Sequence, residues 1–329
     1  MSPISSTGPA GAGVPKTAQE IFTAISAAIR LGDIAHAQKL RELLLTAHPM
    51  ALVEIIKSAD LIEEEKLARI DKNHLALWDK LYASLSLEEK NCLYYSLIEV
   101  VVPPGKVILA QGGFNTKLFF IDSGEVLVYL PKGDKQTVIA KLGRGDILGE
   151  YTFTTISLCS ATAVSHSELH LRYLASTSAD SWENEQPGLY AKLIDFCIQY
   201  GKVDEIIRRK QLEKRTNERY AVVGQVSATL LDKEGKRIGS QFRGALSDLS
   251  VAGTCFMIKC SKKTTARTLL ARHAFLSFSF SQGAAELTFT AVGKVTGVSF
   301  HLYNDYGVHA RFVKQLQKEL VQKAILFKK

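Results

Sequence analysis

Two long stretches of this chain alternate short apolar runs with glycine-containing turns, and that pattern constrains the fold more than any other feature. The first stretch runs from about residue 73 to 214 and includes a turn at Asp122-Ser-Gly124. The second runs from about 215 to 329, with hairpin turns at Asp232-Lys-Glu-Gly235 and Ser281-Gln-Gly283. Evenly spaced short strands joined by such turns are typical of β-barrels. The sequence therefore predicts a jelly-roll-like barrel with flanking helices, followed by an antiparallel barrel of six to eight strands.

The alternation in the second stretch is regular enough to place individual strands. Apolar and polar residues follow each other with the period of two that half-buried strands require. The predicted strands are Ala221–Leu231, Arg237–Phe242, Gly244–Leu249, Thr254–Cys260, Ala274–Phe280, Glu286–Val292, Val295–Leu302 and Gly307–Phe312. After them, an apolar stripe predicts a terminal helix that covers the barrel mouth or a partner. The stripe consists of Phe312, Leu316, Leu320 and Ala324.

The segment before the barrels has the spacing of helices rather than strands. Residues 1–16 are small, polar and rich in glycine and proline, which predicts a disordered tail. Thr17 and Glu20 then form a capping box, and isoleucines follow at helical spacing. Residues 17–72 are therefore predicted to form a small helical module, which makes the chain a multidomain α+β protein. A further helix is predicted from Pro187 to about Lys214, as the link between the barrels.

Composition limits the classes of partner and the compartment. A chain of 329 residues is too long for one ordinary core, so two or three domains are expected. The net charge of +8 favours anionic partners such as nucleotides. No apolar run is long enough to cross a bilayer, and no secretory signal opens the chain. The five cysteines are scattered along the chain: Cys92, Cys159, Cys197, Cys255 and Cys260. This distribution predicts reduced thiols in a cytoplasmic protein and no zinc site.

A two-part motif lies at the start of the second barrel. Its first half, Arg215-Thr-Asn-Glu-Arg219, supplies two guanidiniums whose planar forks fit a phosphate or the O6/N7 edge of guanine. Its second half, Asp248-Leu-Ser-Val-Ala-Gly253, supplies an acceptor and a hydroxyl that can hold a tight turn through the backbone. Its glycine can adopt positive φ or let a ligand lie close. Together the two halves suit an anion that carries guanine bases.

The order and spacing of these residues resemble the PilZ domain, a bacterial receptor for cyclic di-GMP. The resemblance implies that Arg215 and Arg219 grip the phosphate and the guanine edge. It also implies that Asp248 and Ser250 contact the bases and that Gly253 allows the ligand to approach. The preceding linker adds three cations that are candidates for contact with a second ligand molecule: Arg208, Arg209 and Lys214.

The first barrel resembles the cyclic-nucleotide-binding domain of catabolite activators and protein-kinase regulatory subunits. The matching phrases are Leu77-Trp-Asp, Val102-Pro-Pro-Gly-Lys-Val-Ile108, Phe119-Phe-Ile-Asp-Ser-Gly-Glu125 and Leu142-Gly-Arg-Gly-Asp-Ile-Leu-Gly-Glu150. In that family a Gly-Glu pair opens a short phosphate-binding helix, and here Gly149 and Glu150 match it. The family's phosphate-binding arginine does not occur, because its places hold Cys159 and Ser160. An anion without a cationic partner binds poorly, so this cyclic mononucleotide site is predicted to be vestigial.

Other classes of function lack their motifs. No metalloprotease motif, nucleophile elbow or Rossmann fingerprint occurs in its required context, so no enzyme activity, metal or cofactor is predicted. No helix-turn-helix follows the first barrel, which argues against DNA binding. The sequence therefore predicts a non-enzymatic cytoplasmic receptor for cyclic di-GMP, with a protein partner at the helical module or the first barrel. Two alternatives stay open: an interaction scaffold with vestigial nucleotide sites, and a dual sensor that also binds cyclic AMP or cyclic GMP.

Overall fold

The computed structural model describes residues 17–132, 135–203, 206, 217–261, 263–301 and 305–327. The chain divides into two compact units, Met1–Tyr95 and Ser96–Lys329. The predicted tail, and the linker cations Arg208, Arg209, Lys214 and Arg215, lie outside the described residues. The predicted domain limits at 72/73 and 214/215 stay predictions.

The first unit is helical, and its opening follows directly from the sequence. Its helices are α1 (Ala18–Arg30), α2 (Ile34–Ala47), α3 (Leu52–Ala68), α4 (Lys72–Leu77), α5 (Asp79–Tyr82) and α6 (Leu87–Ser96). The predicted capping box is confirmed: the amide of Glu20 donates to Thr17 Oγ1 at 3.2 Å, and the amide of Thr17 donates to Glu20 Oε2 at 3.0 Å. Ile21 and Ile25 are buried against Leu44 in the core between the helices.

The predicted jelly-roll-like barrel consists of two four-stranded sheets. Its strands are β1 (Leu97–Val102), β2 (Val107–Leu109), β3 (Lys117–Ser123), β4 (Val126–Lys132), β5 (Lys135–Leu142), β6 (Ile147–Leu148), β8 (Thr162–Ser165) and β9 (Leu169–Ala175). The strand orders are β1-β9-β3-β6 and β2-β8-β4-β5. Apolar side chains from both sheets meet in one core, including Ile121, Val126 and Leu169. We call this the middle barrel.

The helices around the middle barrel differ in part from the prediction. The short helix α7 (Glu150–Thr154) follows β6, and α8 (Ser176–Glu185), which was not predicted, follows β9. Helix α9 (Pro187–Tyr200) begins where predicted and is interrupted at Gly201. The predicted end near Lys214 lies outside the described residues. Gly201 is extended at ψ 107°, and a Cβ there would lie 2.6 Å from the carbonyl oxygen of Cys197. The helix therefore ends at a glycine that packs too closely for any side chain.

The second stretch forms a closed antiparallel barrel, which we call the last barrel. Its strands are β10 (Tyr220–Ala221), β11 (Gln225–Leu231), β12 (Arg237–Leu249), β13 (Gly253–Lys259), β14 (His273–Gln282), β15 (Ala285–His301) and β16 (Asp305–Phe312). The order is β10-β12-β11-β14-β15-β16-β13, and an additional β12–β13 pairing closes six of these strands into a ring. The predicted strand pairs Arg237–Phe242/Gly244–Leu249 and Glu286–Val292/Val295–Leu302 are each one continuous strand.

Two helices complete the last barrel. Helix α10 (Lys263–Arg267) was not predicted, and helix α11 (Lys318–Ile325) is the predicted terminal helix. The placement of Phe312 on its stripe is wrong, since Phe312 ends β16 and is buried in the barrel core. Ala324 of the predicted stripe is buried against that core, together with Val321, which was not on the stripe.

One short strand belongs to both barrels. Strand β7 (Ile156–Ser157) follows α7 in the middle barrel, yet it pairs antiparallel with β15 of the last barrel. The amide of Leu158 extends this pairing with a hydrogen bond of 3.1 Å to the carbonyl oxygen of Thr296. Nothing in the sequence pattern predicted this strand.

Candidate functional site

The turn between β12 and β13 holds the second half of the motif, and Ser250 organises it. The hydroxyl of Ser250 donates to the carbonyl oxygen of Gly253 at 3.0 Å. Ser250 Oγ in turn accepts from the amides of Ala252 and Gly253, at 3.3 and 3.1 Å. A serine hydroxyl has one proton and two lone pairs, so these contacts use its full capacity. Ser250 is also buried, which makes it the residue that holds the turn rather than a surface donor.

Gly253 is required by the neighbouring strand. Of the two roles that the sequence left open for this glycine, positive φ is not adopted. A Cβ at Gly253 would lie only 2.5 Å from the carbonyl oxygen of Ala310 on β16. The absence of a side chain therefore lets β13 and β16 pair, whether or not a ligand is present.

Asp248 sits at a bulge that turns it towards the first half of the motif. The register of β12 against β13 shifts between Leu246 and Asp248, and bulges of this kind re-aim side chains. The backbone amide of Cys255 donates to Asp248 Oδ1 at 3.1 Å, and Thr254 Oγ1 donates to the Asp248 carbonyl at 2.7 Å. Strand β13 thus holds both the side-chain carboxylate and the backbone carbonyl of Asp248.

Arg219 reaches the same carboxylate from the adjacent strand. It immediately precedes β10, whose Ala221 pairs with Asp248 on β12. Arg219 Nη1 lies 3.3 Å from both carboxylate oxygens of Asp248. The arginine side chain is 44% exposed and the aspartate 25%. Among the described residues these contacts use Nη1 alone, so Nε and Nη2 can face an anion from solvent.

The carboxylate of Asp248 affects the pKa of the neighbouring Cys255 thiol. Burial, and then the neighbouring Asp248 carboxylate, raise the pKa of Cys255 to about 11, while Arg219 acts in the opposite direction. Cys255 is therefore an inert thiol at neutral pH.

The structure brings together four of the predicted residues at one end of the last barrel: Arg219, Asp248, Ser250 and Gly253. Arg215 lies outside the described residues, so its distance to them is not defined. The sequence analysis missed Thr254 and Cys255, which hold Asp248 in place. The sequence signal that could have identified them is their position directly after the turn, because the second strand of a hairpin pairs with the first.

The middle barrel retains the geometry of its Gly-Glu pair. Gly149 has φ +87° and begins α7, and Glu150 is buried as the first residue of that helix. Cys159 and Ser160 line the same cavity as this pair. The cavity has a volume of about 40 Å³, which suffices for one or two water molecules. Ligand pockets for small molecules usually measure roughly 300–1,000 Å³.

The segment after α9 covers this cavity. Val203 lines it, and a Cβ at Gly201 would lie 2.8 Å from Cγ of Glu150. Burial, and then the charge of Glu150, raise the pKa of the Cys197 thiol on α9. No lysine or arginine belongs to the described lining of the cavity. The sequence analysis missed Gly201 and Val203, because only the fold brings the end of α9 back to α7.

The part of the chain that the structure describes contains no group of three or more histidine, cysteine, aspartate or glutamate side chains that could hold a metal ion. No helix within it combines the length and the apolar character needed to cross a membrane.

Comparison with known proteins identifies the middle barrel. Residues 99–179 match the family model of the cyclic nucleotide-binding domain. A cAMP-dependent protein kinase regulatory subunit of Dictyostelium discoideum is 26% identical over 92 residues. That match covers 28% of this chain and 28% of the relative, so the chain spans less than a third of the protein it resembles.

Solved structures are similar over the same region. A cyclic nucleotide-binding domain from Methylobacillus flagellatus is 21% identical, covering 44% of this chain and 82% of its own, with a TM-score of 0.37. The catabolite activator protein of Thermus thermophilus is 23% identical, covering 41% and 61%, with a TM-score of 0.33. A regulatory subunit of a cAMP-independent protein kinase A from Trypanosoma cruzi, bound to guanosine, is 18% identical, covering 46% and 51%, with a TM-score of 0.37.

The family match over residues 99–179 confirms the resemblance of the middle barrel to the cyclic nucleotide-binding domain. The relation of the last barrel to PilZ domains stays a prediction.

Proposed function

We propose that this chain is a non-enzymatic receptor for cyclic di-GMP, and that the ligand binds at the Arg219–Asp248 end of the last barrel. One observation carries the proposal. Two residues 29 positions apart meet at the surface as a partly exposed cation and anion. Asp248 lies on β12 of the closed barrel, and Arg219 directly precedes β10, which pairs with β12. A loose surface pair has no such support, and binding groups held on rigid elements recognise ligands better.

The chemistry of the two side chains fits a phosphate ester that carries guanine. The free edge of Arg219 can take a phosphate oxygen or the O6/N7 edge of a guanine. The carboxylate of Asp248 can accept hydrogen bonds from the amide and amino groups of a guanine base. Ser250 acts by holding the turn, and Gly253 by letting β16 pair closely with β13. Arg215 supplies a second cation from the linker.

The middle barrel has a mechanical part in this proposal. It carries the fold of a nucleotide-binding regulatory domain but a cavity too small for a mononucleotide. We assign it the role of a rigid body that the occupied last barrel moves, with a protein partner contacting it or the helical module. The proposal places the protein in the cytoplasm, in the same compartment as its nucleotide ligand.

A second candidate is a sensor that also takes cyclic AMP or cyclic GMP in the middle barrel. The family match to residues 99–179 favours it. The cavity of about 40 Å³ and the lack of a cation in its described lining oppose it. A scaffold with two vestigial sites is opposed by the intact Arg219–Asp248 pair.

Calorimetry on the full chain with cyclic di-GMP, cyclic AMP and cyclic GMP tests the proposal. Arg219→Ala removes a charge-assisted fork, which is expected to cost about 1–3 kcal/mol by analogy with arginine–guanine pairs. Affinity for cyclic di-GMP then falls roughly tenfold to a hundredfold. The affinity of the parent chain also falls with added salt, because exposed cations are screened.

Arg243→Ala is the matched control, since Arg243 is an exposed arginine on β12 of the same barrel. It removes the same charge without touching Asp248, and its affinity stays at the parent value. If Arg219→Ala binds cyclic di-GMP as tightly as Arg243→Ala does, the proposed site is wrong.

A further inference from the structure

The segment Gly149–Leu158 contributes to both barrels, and we call it the shared segment. Its first half lines the middle-barrel cavity through Gly149, Glu150 and Thr152. Its second half enters the last barrel, where Ile156 belongs to the buried core and Leu158 packs against it. The change from one barrel to the other takes place at Thr155, directly after α7.

An open edge on β15 explains why the shared segment fits there. Strand β14 pairs with β15 only as far as Lys294, whereas β16 pairs with β15 from Gly293 to its end. The backbone of Val295 still bonds Ala271 and Arg272. Beyond Val295, among the described residues, that edge of β15 pairs with no strand of the last barrel. Unpaired strand edges are covered in natural proteins. The shared segment covers this one through the pairs Gly297↔Ser157 and Val298↔Ile156.

Gly297 lets the two strands approach. It lies at a register shift of β15 against β16, between Val295 and Gly297. A Cβ at Gly297 would stand 3.7 Å from the carbonyl oxygen of Ile156 and 3.8 Å from Cβ of Ser157, which is ordinary contact. A γ-methyl carbon reaches about 1.5 Å further and would meet the β7 backbone.

A salt bridge between α10 and α8 also connects the two barrels. The guanidinium of Arg267 on α10 binds Asp180 on α8 in a two-pronged contact, with Nη1–Oδ2 at 2.5 Å and Nη2–Oδ1 at 3.2 Å. With this pair in place, the shared segment cannot slip without either breaking its pairing or moving one barrel against the other.

We propose that the β7–β15 pairing is a latch that holds α7 against the middle-barrel cavity. Helix α7 forms one side of the cavity lining, and it is connected to β7 through the single residue Thr155. Opening the cavity on this side therefore costs the pairing with β15 and the burial of Ile156. Coupling between two sites is reciprocal, so loosening β15 opens the cavity, and a ligand that opened the cavity would loosen the last barrel. This inference does not depend on the identity of the ligand at Arg219.

The thiol of Cys159 reports the state of the cavity, because it is buried in the lining. The test measures the rate of its alkylation by iodoacetamide in the full chain, resolved by peptide mass spectrometry. Two variants release the latch from opposite sides: Ile156→Ala removes the anchor from the core, and Gly297→Val places methyl groups against β7. In both variants we expect Cys159 to react at least roughly tenfold faster than in the parent chain, because the free energy of local opening is lower.

Two controls keep the result specific. Gly297→Ala leaves room for β7 and should react at the parent rate. The amides of β3 and β9, which pair in the middle barrel away from α7, should keep their protection against hydrogen exchange in every variant, which shows that the barrel remains folded. Equal rates for Cys159 in all variants would overturn the latch. So would a loss of protection in β3 and β9 together with faster alkylation of Cys159, since the barrel would then unfold as a whole.

Discussion

Replacing Gly253 by alanine separates a structural glycine from one kept for a ligand. The substitution adds one carbon atom that would lie 2.5 Å from the Ala310 carbonyl oxygen, where ordinary contact begins at 3.4 Å. The obstacle is backbone, and that backbone is held by the pairing of β13 with β16 from Gly253↔Arg311 onwards. β16 must therefore move by up to roughly 1 Å, and overpacking of this kind costs about 1–3 kcal/mol.

Amide hydrogen exchange is the suitable assay, because the two tryptophans, Trp78 and Trp182, both lie outside the last barrel. The slowest amides of β13 and β16 should lose protection by roughly five- to a hundredfold, the equivalent of that free energy. Gly297→Ala is the control in the same barrel, since a Cβ there meets only ordinary contacts. It should leave protection unchanged or raise it slightly, because alanine restricts the unfolded chain.

The result also bears on the ligand. If Gly253→Ala keeps full protection in β13 and β16 yet no longer binds cyclic di-GMP, the glycine serves ligand approach and the packing argument fails. If protection falls and binding falls with it, the loss of affinity follows from the displaced strand.

Two other outcomes are expected of the parent chain. Cyclic AMP and cyclic GMP should not bind more tightly than about 10 μM, roughly −7 kcal/mol, because the cavity is small and its described lining holds no cation; saturable binding below that concentration in calorimetry would contradict this. Cyclic di-GMP should raise amide protection across residues 208–220 and around Ser250, since its phosphates neutralise the linker cations; protection confined to the turn at Ser250 would rule out ordering of the linker.

The sequence predicted an element correctly where a short residue pattern is enough to fix the backbone conformation. The capping box of Thr17 and Glu20 fixes the start of α1 within a single turn. The sequence pattern predicts two strands separated at Arg243, where the structure has the one strand β12. The continuous strand exists because β11 and β13 both pair along it, which only the closed ring supplies.

The candidate site was predictable in its membership but not in its mechanics. Arg219 and Asp248 were chosen for their chemistry, and the closed barrel brings them together. The hydroxyl of Ser250 holds the turn, as the motif predicted. The role of Gly253 follows from its approach to Ala310 on the neighbouring strand, which sequence spacing does not reveal. Strand β7 is two residues long, too short to carry any periodic signal.

The placement of Ile156 affects how this chain could have been assembled and how it folds. Its strand meets β15 about 140 residues further along the sequence, and such distant contacts form late because long loops must close first. A gene fragment that encoded only the last barrel would lack Ile156, leaving an apolar hole and a bare strand edge. Exchange of either barrel by recombination would therefore need compensating changes in the other barrel.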